Sequence, residues 1–227
     1  MTILEKHDII NAALPAKTHS YTPVSNRQLL ETIEEKLYKH NLPIINERFN
    51  GNGNMNQMFG VYTIGMGNGE QQMNIGFRNS YDKSLAVGLV AGATVIVCSN
   101  LMFKGDIKML RKHTNGVFND LSDMIEKVIG TTEIEFEEIQ DDTQHMKSLP
   151  MSRQFMAETA GRMFINDSII NATQMGIIKR EINFSDKFRE LSKWDFYNHC
   201  TEAMKVSHPS EVMQSHIKLH NYIMEVV

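Results

Sequence analysis

The chain has 227 residues, 41% of them hydrophobic and 22% charged, with 23 Lys and Arg against 27 Asp and Glu and a formal net charge of −4. That length suits one large domain with a helical extension, and the charge excludes bulk attraction to nucleic acid while leaving a local basic patch open. Two cysteines, Cys98 and Cys200, exclude a disulfide framework and point to a reducing bacterial cytoplasm, and MTILEKHDII lacks the regions of a secretory leader.

Residues 1–24 read as a loosely packed N-terminal arm, with Pro15 and Pro23 near its end. A helix then begins at Ser25, whose hydroxyl can cap the first free amides, with Gln28 completing a capping box. Leu29, Leu30, Ile33 and Leu37 give it one apolar face, and Pro43 stops it. Extended segments follow. PIINERF, QMFGVYTIG and QQMNIGFRNSYD are separated by the Asn- and Gly-rich loops NGNGNMN and MGNGE, a pattern of antiparallel hairpins. MGNGE lacks the Lys-Ser/Thr of a phosphate loop, so it reads as a turn.

Ser84 to Phe103, SLAVGLVAGATVIVCSNLMF, is an uncharged run long enough to cross a bilayer. Small residues, β-branched residues and two glycines favour two core strands instead, LAVGLV and TVIVCS, turning at AGA. From Val117 the period becomes helical. Val117, Leu121, Met124, Val128, Phe136, Ile139, Thr143 and Met146 predict a long helix ending before Pro150, broken near Gly130 if anywhere. Alternation in EIEFEEI offers a competing strand. Three further helical segments complete an α+β fold: an antiparallel β-meander, a long helix and a helical C-terminal half. The expected organisation is an arm at 1–24, a core at 25–150 and a helical region at 151–227 packed on it.

Several constellations invite chemistry. Cys98, Asn100 and His113 have the residue types of a nucleophile, base and orienter, but a cysteine inside an apolar strand acts as a small hydrophobe. His216 and His220 have a metal-binding spacing without a clear third ligand, although Cys200 and His208 are candidates. Asn79, Ser80, Tyr81 and Asp82, with Asn100, make a polar cluster at two strand ends, suited either to turns or to a ligand. The densest basic segment is KGDIKMLRKHTNG. On a helix Lys108, Arg111 and Lys112 share one side, and Lys104 and His113 extend a stripe that could track phosphates, with Tyr62, Phe77 and Tyr81 as stacking surfaces. The acidic run Glu133 to Asp142 reads as the solvated face of the long helix, and Trp194, Tyr197, Asn198, Thr201 and Glu202 as a packing helix.

Four motifs occur in order: FRNSYDKS (Phe77 to Ser84), VIVCSNLMF (Val95 to Phe103), RKHTNG (Arg111 to Gly116) and KWDFYNHCTEAMK (Lys193 to Lys205). Together, over Leu42 to Lys205, they resemble the phage/plasmid-like protein family catalogued as domain of unknown function 932. The resemblance implies a phage or plasmid setting and carries no activity, cofactor or metal. The expected function is a nucleic-acid-binding accessory of phage or plasmid DNA metabolism, extending to single-strand annealing and recombination by an oligomer on single-stranded DNA. The alternative is a non-enzymatic protein that binds and inhibits a host defence system, and an unrecognised enzyme comes third.

Overall fold

The computed structural model describes residues 2–52 and 54–226. It opens with strand β1 (Thr2–Leu4) and the short helix α1 (Lys6–Ile10), followed by α2 (Asn26–Lys39). Ser25 caps α2 as its sequence predicts, its hydroxyl accepting the Gln28 amide, and Leu29, Leu30, Ile33 and Leu37 are buried. Six strands follow: β2 (Ile44–Gly51), β3 (Gln57–Gly67), β4 (Gln71–Ser80), β5 (Val87–Val95), β6 (Asn100–Phe103) and β7 (Met109–Arg111). The helical half comprises α3 (Val117–Ser148), α4 (Arg153–Ile165), α5 (Ala172–Phe184), α6 (Lys193–Met204) and α7 (Val212–Val226). The fold is α+β, an antiparallel sheet followed by helices.

The strands pair in the order β1-β2-β3-β4-β5-β6, all antiparallel, and β5 gives Gly92–Val95 to β6 and Val87–Leu89 to β7. Alternation along the strands separates two faces. Met58, Tyr62, Ile75, Phe77 and Leu89 join the main core with α2 and α3, while Phe59, Val61, Val90 and Phe103 meet Val212, Met213 and Ile217 of α7 on the other face. Arg48 Nη1 of β2 donates to the Ser99 carbonyl just before β6, at 3.3 Å. In a flat sheet with strands about 4.8 Å apart, those positions would stand about 19 Å from each other. The sheet is therefore curled towards α7.

Ser84 to Phe103 does hold two strands, but the turn is not at AGA. β5 runs straight through Ala91–Gly92–Ala93, and the chain reverses at residues 96–99, where Ser99 takes the left-handed conformation (φ 56°). Gly92 serves a close approach rather than a turn, because a Cβ there would run into the Phe103 ring and the Met102 carbonyl. Gly76, on the neighbouring strand, likewise lies under the edge of Phe103. No helix among the described residues is long and apolar enough to cross a membrane.

α3 is a single 32-residue helix, unbroken at Gly130, and the EIEFEEI segment lies within it. The arm also differs from expectation. β1 pairs with β2 through Thr2↔Gly51 to Leu4↔Phe49, Ile9 is buried, and Tyr21 to Val24 are buried as well. An added strand and an apolar anchor replace the loose packing that its prolines suggest.

Candidate functional site

The basic segment forms no helix. Lys104 follows β6, Lys108 lies in a loop entered through Gly105 (φ 71°), and Arg111 ends β7. The segment runs beside α3, whose acidic residues reach across to it. Lys104 Nζ lies 2.9 Å from Asp142 and 3.3 Å from Glu138, Lys108 Nζ 2.9 Å from Glu135, and Arg111 Nε 2.6 Å from Asp120. Burial tends to push the Asp142 carboxyl up, yet His220 and Lys104 hold it below its ordinary value. Three of the five residues expected to track phosphates are thus neutralised, Lys104 and Lys108 by the acidic run expected only to be solvated and Arg111 by Asp120 near the start of α3. Tyr62, Phe77 and Tyr81 are buried and offer no stacking surface.

The last two residues of the stripe behave differently. Lys112 is exposed, and beside it opens a cavity of about 360 Å³ lined by Ser20, Tyr21, Lys83, Ser84, His113 and Thr114. Lys83 takes a positive φ of 66° and holds its ammonium 4.8 Å from the centre of the Tyr21 ring. Among the described residues neither Lys83 nor Lys112 forms an ion pair. His113 is 7% exposed; its Nδ1 lies 3.4 Å from the Val24 amide, the Thr22 backbone also bonds the ring, and its buried Nε2 has no partner. Burial lowers the His113 pKa, so the ring is neutral at physiological pH. Two lysines without ion pairs and a neutral imidazole line this cavity, and the lysines suit an anion.

The polar cluster divides. Asn79, fully buried, donates through Nδ2 to the Val24 carbonyl and to Asn26 Oδ1, both at 2.8 Å, and its Oδ1 accepts the Ser80 amide. Ser80 Oγ is bonded to both the amide and the carbonyl of Leu85. Tyr81 accepts the Asn26 amide at 2.8 Å, and Asp82 accepts the Ser84 hydroxyl and amide together with Gln57 Nε2. These four residues fasten the arm and the 80–85 turn to the end of β4. Asn100 lies at the opposite end of the sheet, paired with Val95, and donates to the Asn198 carbonyl and Oδ1. Trp194 stacks on Tyr197 at 9°, in the packing role its helix suggests.

Cys98 is in the turn at residues 96–99 rather than inside a strand. It is partly exposed, with Sγ 3.8 Å from Asn198 Oδ1, and burial raises its thiol above the ordinary value. It sits at the Val95 end of β5, whereas His113 follows β7 at the Val87 end, so the two are not brought together. His216 packs edge-on against Phe103, while His220 Nε2 bonds Asp142 at 3.0 Å. Among the described residues no group of three or more His, Cys, Asp or Glu is placed to hold a metal.

A further cleft had no signal in the sequence. It lies between β2, the turn at residues 96–99 and the start of α7, holds about 340 Å³, and receives Arg48 and His216 from elements some 170 residues apart. Arg48 could have been noticed as a charge on the strand face that bears Val61 next door, but its partner across the cleft could not.

A model of one protein family matches residues 13–221. The chain belongs to the DUF932 family, a domain of unknown function. The match exceeds the span of the four motifs at both ends, so buried Tyr21 to Val24 of the arm and both α7 histidines fall inside the DUF932 domain. No curated protein and no solved structure matches the chain.

Proposed function

We propose that this DUF932 protein is a nucleic-acid-binding accessory of phage or plasmid DNA metabolism that holds a phosphate of single-stranded DNA at the Lys83–Lys112–His113 pocket. The observation that supports this reading is that Lys83 and Lys112, two lysines without ion pairs, line one cavity together with His113. Lys104, Lys108 and Arg111 drop out of the binding set, because a phosphate there would first have to displace a carboxylate. A meander followed by a long helix extends the reading to strand annealing by a homo-oligomer, on fold-level analogy.

The test is fluorescence anisotropy with a labelled oligonucleotide at several salt concentrations. Replacing Lys83 and Lys112 by Gln should shrink the log–log salt slope by roughly 0.7 per lost contact. Replacing Lys104, Lys108 and Arg111 by Gln should leave it unchanged. Absence of wild-type binding at low salt, or the reverse ranking of the two variants, defeats the reading. The neutralised basic segment favours a second one, a cytoplasmic interaction protein that inhibits a host defence system without binding DNA.

A further inference from the structure

The cleft under α7 combines apolar walls with two polar atoms that have no partner. Phe59, Val61, Leu101, Met204 and Val212 form the walls. The first polar atom is Arg48 Nη2, buried and unbonded, although Nη1 of the same guanidinium is fixed by the Ser99 carbonyl. The second is His216 Nδ1, on a side chain only 2% exposed. Burial pulls the His216 pKa down to about 4, so the ring is neutral; with its other nitrogen bonded to the Leu101 backbone, Nδ1 is a free acceptor.

The lining carries three cations, Lys6, Arg48 and Lys205, against two carboxylates, Glu5 and Glu47. Lys6 reaches Glu47 at 3.3 Å and Glu34 at 2.8 Å, and Lys205 reaches Glu202 at 2.6 Å. Among the described residues neither Arg48 nor Glu5 forms an ion pair, so Arg48 is the cation of the lining that no carboxylate contacts, and the lining keeps a net charge of +1. A guanidinium with one Nη group left unbonded is the ordinary receptor for a carboxylate, and a cavity of this size is on the scale of small-molecule pockets.

We infer that the cleft binds an amphipathic monocarboxylic acid bearing a hydrogen-bond donor, its carboxylate on Arg48, its donor on His216 Nδ1 and its tail along the apolar walls. Hydroxy fatty acids and N-acyl amino acids have this chemistry. The site shares no lining residue with the Lys83–Lys112–His113 pocket and stands or falls independently of DNA binding.

Calorimetry of the full chain with 3-hydroxydecanoate, decanoate and decanol tests it. The wild type should bind decanoate about tenfold more tightly than decanol, because a charged hydrogen bond distinguishes them, and the hydroxy acid more tightly still. Arg48→Met should bind decanoate and decanol equally while keeping wild-type affinity for decanol, which shows the cleft intact. His216→Phe should abolish the gain from the hydroxyl alone. Equal wild-type affinities for acid and alcohol, a preference that survives Arg48→Met, or no binding of any of the three overturns the assignment. No gain from the hydroxyl overturns the part assigned to His216.

Discussion

Replacing Asn79 by Ala tests whether the arm is a structural part of the domain. The substitution removes both Nδ2 bonds, to the Val24 carbonyl and Asn26 Oδ1, and the Oδ1 bond from the Ser80 amide. Val24, Asn26 and Ser80 are at most 3% exposed, so three buried polar groups lose a partner with little access to water. Each orphaned group costs about 1–3 kcal/mol, and local relaxation recovers part of the sum, which leaves a loss of about 3 kcal/mol. For a chain of this size that lowers the melting temperature by about 6–12 °C. Urea denaturation gives the free energy, and limited proteolysis at Lys17 reports whether the arm has come loose. A loss below about 0.5 kcal/mol with unchanged cleavage would refute the argument, because the arm would then be held by β1 and Ile9 without help from β4.

Gly92→Ala should cost about 3 kcal/mol in urea denaturation, because its methyl group meets the Met102 carbonyl; Gly161→Ala, with nothing near the new methyl, should instead gain about 0.5–1 kcal/mol. The folded-state pKa of His216 lies below its unfolded value of 6.5, so its contribution is complete above pH 6.5 and is lost as pH falls towards 4. The loss should approach about 3 kcal/mol, and His216→Phe should flatten that part of the stability–pH curve, which an unaltered curve would contradict. Cys98→Ala should cost about 1 kcal/mol or less and leave oligonucleotide and decanoate binding unchanged; lost binding in a variant of wild-type stability would give the thiol a direct role.

What the sequence made legible was local. The Ser25 cap, the apolar face of α2, the 3.6-residue period of α3 and the Asn-Gly loops each act over a few residues, and each element formed where its pattern lies. The turn after β5 was misplaced because glycine supports two different needs, and only the position of Phe103 shows that Gly92 meets the second. The basic segment was read as a free stripe because its counter-charges stand between 9 and more than 30 positions away on α3. Arg48 and His216 carry no shared signal, since the curl of the sheet alone brings them to one cleft. Of the expected site residues, Lys112 and His113 face a cavity, but their companion Lys83 is held there by Tyr21, a contact between the arm and the 80–85 turn.

The anchorage of the arm also dictates an order of events during synthesis. The Thr22 amide bonds the His113 carbonyl, and its hydroxyl bonds Asn115, 93 positions later. Asn115 in turn donates to the His19 carbonyl. Residues His19 and Thr22 of the arm therefore lack these partners until β7 and the loop after it have emerged, and closing so long a loop carries an entropic cost that only the assembled sheet end offsets. The hairpins from β2 to β5 can zip together as they appear, whereas this part of the arm, made before them, settles after them.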